Sequence, residues 1–462
     1  MANGANYTTW MITALLIAAA VVDAVGSAKL VVLVSQVTFA IYNALLMVAC
    51  FYTEPARRDP PIVSVISLVA CVLGGAAAAF AWTAQGVYFA LAARRYAATT
   101  GLRLDMAGAW FASLFAVANL STEVCVRLAS AIWLQFASQS TMEPGHVHGL
   151  CLGLFSAFCL IGCLLTLSID NITYDSTSAF EKRIADEIAG VEGASACWCW
   201  AAPRKRSSGP GELSAPLEPA RDAGAPAVGE GAVPKEESAW RAACRAGIAR
   251  GLSSLKLLLT SPTAMLLAPF NLLKGFSEVF ISDYVSGDLV GPRMGTYYIG
   301  YLSALGVIAG ALTAFGAGPF ETRYGRGGPM IGGIVLFLVI PLYDYVTVAT
   351  SPSGDWYLTF FYIFYGLARG VWESTNRAIS ASLFPHHLEQ IFALIRFSEG
   401  LAASIGFFIC PCLDGEPIAT LVVVFGSIAL FAYWGAEHIN GYGRLEREMR
   451  EASGGKVVLA GH

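Results

Sequence analysis

Eleven long apolar stretches run through this chain of 462 residues, five before a polar linker and six after it. A helix that crosses a bilayer needs about 20 mostly apolar residues, because lipid has no groups that could hydrogen-bond an exposed backbone. The stretches lie at residues 7–25, 30–52, 61–92, 106–136, 148–169, 262–283, 295–320, 329–349, 356–384, 393–413 and 417–436. This pattern predicts a polytopic membrane protein with about eleven transmembrane helices.

The overall composition points to the same class. Hydrophobic residues make up 56% of the chain and charged residues 13%. So few charged side chains would leave a large apolar surface uncovered in water, so lipid must be the solvent for most of the chain. The 47 glycines fit this picture, because small residues let membrane helices approach closely. We expect an all-α helical bundle whose first partner is the lipid bilayer.

The distribution of basic residues predicts the orientation. Of the 29 Lys and Arg residues, three lie in connections on one side, five lie inside spans and 21 lie on the other side. Arg94, Arg95 and Arg103 are assigned to a loop of this richer side. The positive-inside rule places the linker and the C-terminus in the cytoplasm and the N-terminus outside. Residues 1–6 contain no basic residue, so a cleavable signal peptide is not expected.

The chain divides into four parts by composition. They are an N-terminal half of five spans at 1–169, a cytoplasmic linker at 170–261, a C-terminal half of six spans at 262–436 and a cytoplasmic tail at 437–462. Within the linker, residues 178–190 predict a short amphipathic helix, and the Pro-, Gly- and Ser-rich residues 201–238 predict disorder. Residues 240–258 suit a basic helix lying on an anionic membrane surface, or equally a solvated connector.

A weak internal repeat relates the two halves, as is typical of transporter folds. Residues 84–88 in the third span match residues 368–372 in the ninth, and the turn at 26–29 occupies the place of the turn at 325–328. The first five spans then align with the last five. The element without a counterpart would be a first helix before residue 7.

Several motifs together resemble the uncoordinated-93-like family, also called ion channel regulatory proteins, a branch of the major facilitator superfamily. The matching segments are 82–88, 275–281, 300–301 with 306–307, and 392–400. The resemblance covers most of the chain outside the linker and implies a major-facilitator-like bundle. A family member would have twelve helices, so we expect either a truncated sequence, which we favour, or an incomplete first half. The superfamily's loop signature is kept approximately at Gly318, Glu321, Arg323, Gly325 and Arg326.

Opposite charges at helical spacing lie inside four of the predicted spans. The pairs are Glu123 with Arg127, Lys274 with Glu278, Arg369 with Glu373, and Arg396 with Glu399. A separation of three or four residues places both members on one helix face, and intramembrane charges usually face the bundle interior. These pairs are our candidate site residues. They predict either a polar cavity that binds a solute or protons, or salt bridges that latch helices together.

Other signals are weaker. Cys197, Cys199 and Cys244 lie beside basic residues in the linker, a setting that suits palmitoylation and unmodified thiols alike. The seven cysteines in or beside spans are expected to be small apolar fillers. His146 and His148 are too few to predict a metal site. No motif predicts an enzyme, a cofactor or a nucleic-acid partner.

Two functions remain open. By resemblance, the chain is expected to be an accessory protein that regulates or escorts an ion channel or receptor. The alternative is a secondary transporter that moves a small solute by rocking its two halves about a midplane site.

Overall fold

The computed structural model describes residues 2–52, 60–101, 104–139, 143–173, 249, 252–350, 354–384, 387–410 and 415–440. Most of the linker and the whole segment after residue 440 fall outside these ranges. The predictions for residues 178–190 and 201–238, for most of 240–258 and for the three linker cysteines therefore lie outside the described residues. The end of the linker, residues 252–260, is helical.

Besides the helical residues 252–260, eleven helical runs make up the described bundle, and we number them α1 to α11. In the first half, α1 consists of Ala2–Thr13, a π-helical stretch Ala14–Ala18 and Ala19–Val25. It is followed by α2 Ala28–Phe51, α3 Pro60–Thr100, α4 Leu104–Ser138 and α5 Pro144–Ser168.

In the second half, α6 consists of Pro262–Val279, a π-helical stretch Phe280–Val290 and Gly291–Met294. Then come α7 Thr296–Tyr324, α8 Gly327–Thr350, α10 Leu388–Ile409 and α11 Gly415–Asn440. Between α8 and α10, α9 consists of Leu358–Val371, a π-helical stretch Trp372–Asn376 and Arg377–Leu383. The all-α prediction is confirmed.

Ten of these runs are long and apolar enough to span a membrane, within the part of the chain that the structure describes. They coincide with ten of the eleven predicted spans. The eleventh, predicted at 356–384, is helical as α9, but Arg369, Glu373 and Arg377 make its C-terminal half too polar to qualify by composition. The chain is therefore an integral, multi-pass membrane protein.

Several predicted boundaries differ from the observed helix ends, most of all in α6, which continues to Met294 although its span was predicted to end at residue 283. α3 continues to Thr100, so Arg94 and Arg95 belong to its last turns and not to a loop. At 41 residues, α3 is about 60 Å long and extends well beyond a hydrocarbon core of about 30 Å. The tenth span begins at Leu388, five residues before the predicted start, because its first turn carries polar residues.

Helix packing follows the predicted repeat. In the first half α1 packs on α3, α2 on α3 and α2 on α5, and the equivalent contacts in the second half are α7 on α9, α8 on α9 and α8 on α11. The halves meet where α4 packs on α7 and where α1 packs on α10. In the repeat α1 corresponds to α7 and α4 to α10, so each of these two contacts is the counterpart of the other. Among the described helices, α6 has no counterpart in the first half.

Equivalent glycines begin equivalent turns. Gly26 follows α1 with a φ of 65°, and Gly325 follows α7 with a φ of 90°. These backbone angles are rarely adopted by residues with a Cβ atom, which explains why glycine stands at both turns. Ser27 then caps α2 by accepting a hydrogen bond from the Leu30 amide at 3.2 Å.

The helices differ in how deeply they lie in the bundle. α10 and α6 are the most buried of the spans, with 78% and 67% of their apolar windows buried, whereas only 17% is buried in α2 and in α5. A large aromatic core in the second half includes Phe270, Phe280, Phe337, Phe361 and Trp372. The charged candidate residues of α6, α9 and α10 are therefore held inside protein and not against lipid.

Candidate functional site

The four predicted pairs lie on α4, α6, α9 and α10, where these helices meet at the centre of the bundle. Three pairs are close ion pairs with an N to O distance of 2.6 Å: Arg127 with Glu123, Lys274 with Glu278, and Arg396 with Glu399. In the fourth pair the Arg369 Nε atom lies 3.9 Å from Glu373 Oε1. Spacing within one helix therefore describes three pairs well and the fourth poorly.

Arg369 instead faces the other half of the protein. Its Nη1 and Nη2 atoms donate hydrogen bonds of 2.9 and 2.6 Å to the two carboxylate oxygens of Glu123 on α4. Arg127 donates to the same carboxylate through Nε at 2.8 Å. One carboxylate thus serves two guanidinium groups, and the bidentate geometry joins the two halves directly.

Glu373 turns toward Arg377, a partner that we did not predict. The Glu373 carboxylate and the Arg377 guanidinium form a close ion pair, and both side chains are buried. Arg377 follows Glu373 by four residues, which could have indicated the pair. Arg369 precedes Glu373 by the same spacing, so the sequence did not distinguish the two partners. We call Glu123, Arg127, Arg369, Glu373 and Arg377 the α4–α9 charge cluster.

A second cluster joins α6 and α10 within the second half. Lys274 lies between two carboxylates, Glu278 on its own helix and Glu399 on α10, with which it forms a close ion pair. Glu399 is also paired with Arg396. We call Lys274, Glu278, Arg396 and Glu399 the α6–α10 charge cluster; it holds two cations and two anions.

Tyr7 adds a further link between the halves. Its hydroxyl donates a hydrogen bond of 2.7 Å from α1 to Glu278 on α6. Nothing in the sequence pointed to Tyr7, because it has no charged neighbour at helical spacing. The ring also stacks on Phe407 of α10, at 5.2 Å between ring centroids.

An indole from the first half contacts two arginines of the second. Trp82 on α3 has the Arg396 guanidinium 4.1 Å and the Arg377 guanidinium 5.0 Å from its ring centroid. Trp372 covers Arg396 at 4.9 Å and Lys274 at 5.0 Å. These cation–π contacts stabilise buried cations where water is excluded. Trp82 is the first residue of the 82–88 motif, so the sequence did mark its position.

Close packing of α7 on α9 sets the position of Arg369. A Cβ atom added to Gly366 would lie 1.8 Å from the Gly306 carbonyl oxygen, and one added to Gly370 would lie 2.3 Å from that of Gly310. The two helices are therefore in backbone contact along glycines spaced four residues apart, as in many membrane helix pairs. This contact turns Arg369 toward Glu123.

A cavity of about 180 Å³ lies between α4, α6, α7 and α9. Its charged lining residues are Arg127, Arg369 and Glu278, and its hydroxyl groups include those of Ser282, Ser303 and Tyr365. The cavity thus touches both charge clusters. Its position between a first-half helix and three second-half helices places it where the halves meet.

The loop signature around Glu321 forms a separate polar contact. Glu321 is buried and accepts a short hydrogen bond from Thr375 of α9, and Arg326 Nε lies 3.8 Å from its carboxylate. Arg326 also donates to the Ser382 hydroxyl at 2.9 Å. These contacts fasten the α7–α8 turn to the end of α9.

The remaining candidates show no further site. His146 and His148 lie at the start of α5, where the His146 ring packs 5.3 Å from that of Phe51. No group of three metal-ligating side chains occurs among the described residues. The seven cysteines that the structure describes are not joined to one another by disulfide bonds, and Cys125 is exposed.

Known proteins resemble this chain in sequence and in fold. Protein unc-93 homolog A from Bos taurus is 24% identical over 382 residues, which cover 80% of this chain and 73% of that protein. The putative potassium channel regulatory protein unc-93 from Caenorhabditis elegans is 28% identical over 182 residues, 38% of this chain and 25% of that protein. No protein-family model matches the chain.

Among solved structures, the xylose transporter XylE from E. coli in a partially occluded inward-open conformation matches with a TM-score of 0.53. Its sequence is 11% identical, and the match covers 93% of this chain and 86% of that one. At this identity the match describes the fold alone. The expected resemblance to uncoordinated-93-like proteins with a major facilitator fold is confirmed.

Proposed function

We propose that this chain is an accessory membrane protein that regulates an ion channel. The observation that carries the proposal is the pairing of the central charges: Glu123, Glu278, Glu373 and Glu399 each have a cationic partner inside the bundle. Two links, Arg369 to Glu123 and Tyr7 to Glu278, cross between the halves. Such latches favour one stable arrangement of the halves, which suits a regulator that offers a fixed surface to a partner.

The name of the relative from Caenorhabditis elegans supports a potassium channel as the partner class. The test is proximity labelling from the full-length chain in its native cells, followed by co-expression with each labelled potassium channel under voltage clamp. We expect co-purification and a changed channel current. The role as channel regulator is rejected if no channel is labelled more strongly than with an unrelated multi-pass membrane protein as control, and if no channel current changes.

A secondary transporter is the second candidate, and the cavity beside Arg127, Arg369 and Glu278 favours it. Rocking of the halves would require the Arg369 to Glu123 contact to open and close. Solute flux into proteoliposomes that contain only this protein would support transport. Altered channel current without flux would favour the regulator.

We also infer the orientation and the division of the chain. The 21 basic residues on the side of the linker and tail support a cytoplasmic position for residues 170–261 and 437–462. The two helical halves would then be residues 1–169 and 262–436. Our proposal includes no enzymatic activity, in keeping with relatives whose names describe a regulator and a transporter.

A further inference from the structure

The two charge clusters differ in their balance. Among their described members, the α6–α10 charge cluster has two cations and two anions. The α4–α9 charge cluster has three guanidinium groups, on Arg127, Arg369 and Arg377, and two carboxylates. One positive charge in this cluster is therefore without an anion of its own. Uncompensated charge in a low-dielectric interior is costly, so a bound anion there would be stabilised.

The excess charge lies at the wall of the cavity. Arg127 and Arg369 both line it, and they share the Glu123 carboxylate. The Arg127 side chain is 39% exposed, more than any other side chain of the cluster. The Arg369 Nε atom is buried and has no hydrogen-bond partner. Arg127 is therefore the more accessible of the two guanidinium groups.

Glu278 lines the same cavity and has the opposite charge. Whether other groups compensate this negative charge therefore decides the sign of the local electric field. Its carboxylate is paired with Lys274 at 2.6 Å and accepts the Tyr7 hydroxyl at 2.7 Å. These two partners compensate its charge. The next acidic residue of α6, Asp283, does not line the cavity. The remaining field at the wall is therefore positive.

Size and lining limit what could occupy the cavity. A volume near 150 Å³ accommodates a benzene ring in a protein interior, so about 180 Å³ suits a ligand of that size with a small polar group. Leu120, Ile281, Ile299 and Val307 provide apolar wall, and Ser303 provides a hydroxyl. A bare inorganic ion would leave this apolar wall without contacts.

We propose that the cavity is a binding site for a small organic monocarboxylate, with Arg127 and Arg369 as the residues that hold the carboxylate group. Carboxylates are favoured partners of guanidinium groups, and a monoanion supplies the one negative charge that the α4–α9 charge cluster lacks. The apolar part of the ligand packs against α6 and α7. This site does not depend on the regulatory role, because ligand binding is compatible with a regulator and with a transporter.

The test uses the purified full-length chain in detergent, with benzoate as probe and benzamide as its neutral counterpart of the same shape. Calorimetry and thermal unfolding at constant ionic strength measure binding. We expect benzoate to bind and to raise the unfolding temperature, and benzamide to do neither. Arg127→Gln should weaken benzoate binding at least tenfold. Arg323→Gln, which removes a guanidinium at the end of α7 away from the cavity, should leave binding unchanged.

A steric variant keeps the test decisive when the charge variant folds poorly. Ser303→Leu leaves every charge in place and fills part of the cavity, so it should abolish benzoate binding in folded protein. Equal binding of benzoate and benzamide would overturn the carboxylate assignment. Benzoate affinity that survives in both Arg127→Gln and Ser303→Leu, or no binding to the wild-type chain, would overturn the site. None of these results bears on channel current, so the regulatory proposal is tested separately.

Discussion

Arg369 and Glu123 stand 246 positions apart in the chain and meet through two parallel hydrogen bonds of 2.9 and 2.6 Å. The contact joins α9 of the second half to α4 of the first. Both groups lie inside the bundle, where a charge without its partner is poorly solvated. Replacing either residue alone should therefore lower the stability of the protein more than replacing both together.

We predict that Glu123→Gln lowers the stability and the yield of monodisperse protein, because it leaves two guanidinium groups without their shared carboxylate. Breaking a buried pair from one side typically costs about 3–5 kcal/mol. Adding Arg369→Gln to Glu123→Gln should recover part of this loss, with a coupling energy of about 1–3 kcal/mol. Size-exclusion profiles and thermal unfolding in detergent provide the measurement.

Glu143→Gln is the control for this experiment, because Glu143 is exposed at the start of α5. It should behave as wild type. Strictly additive losses in the double variant would show that Glu123 and Arg369 do not interact energetically.

We predict that Gly366→Ala destabilises the protein severely, because the added Cβ atom would lie 1.8 Å from the Gly306 carbonyl oxygen. The clash is with backbone, so α7 and α9 would have to separate. Gly316→Ala on α7 is the matched control, since a Cβ atom there meets nothing within 4 Å. Alanine is the better helix former by roughly 0.5–1 kcal/mol, so the control should be neutral or slightly stabilising. Similar unfolding temperatures for the two variants would contradict the close contact.

We predict that Trp82→Leu weakens the contact between the halves, whereas Trp82→Phe retains part of it. Leucine removes the aromatic face on which Arg377 and Arg396 lie, and each cation–π contact is worth about 0.5–2 kcal/mol. Trp110→Leu on α4 serves as comparison, because Trp110 is 43% exposed. Thermal unfolding should rank the variants in the order Trp110→Leu, Trp82→Phe, Trp82→Leu, from most to least stable. An equal effect of Trp82→Leu and Trp110→Leu would argue against the stack.

The proposed orientation predicts that a tag after His462 and a tag within residues 201–238 lie on the same, cytoplasmic side. A tag before Tyr7 should lie on the opposite side, because an odd number of spans separates the two ends. Thiol labelling in sealed vesicles measures this. Both ends on one side would mean that one of the eleven helical runs does not cross the membrane.

The number and order of helices could be predicted from the sequence because each helix in lipid needs a long apolar run. The turn glycines Gly26 and Gly325 were also recognisable, since they interrupt two such runs at equivalent places. The end of α3 was missed because Arg94 and Arg95 read as a loop, although a helix is free to continue beyond the bilayer. Apolarity marks where a helix lies in lipid and not where it stops.

The partners of the charged residues could be predicted only within a helix. Spacing of three or four residues places Lys274 and Glu278 on one face, but it carries no information on which helix that face meets. Lys274 in fact also pairs with Glu399, so exchanging Lys274 and Glu278 would place a carboxylate beside Glu399. We therefore expect that this exchange does not restore folding. It would restore folding if Lys274 and Glu278 paired only with each other.

The 11-residue π-helical stretch Phe280–Val290 runs along the cavity in α6, and Ser286 donates its hydroxyl to the carbonyl of Ile281, five residues back. A π-helix differs from an α-helix by extra residues in its turns, and one residue corresponds to a rotation of about 100° on the α-helical screw. The spacing of three or four residues that relates side chains at the N-terminal end of α6 therefore does not carry through the π-helical stretch to its C-terminal end. Because a π turn accommodates one residue more than an α turn, deleting one residue such as Gly287 would let one π turn rewind as an α turn. The side chains on both sides of it, Arg293 as well as Lys274, would then keep their places in the bundle.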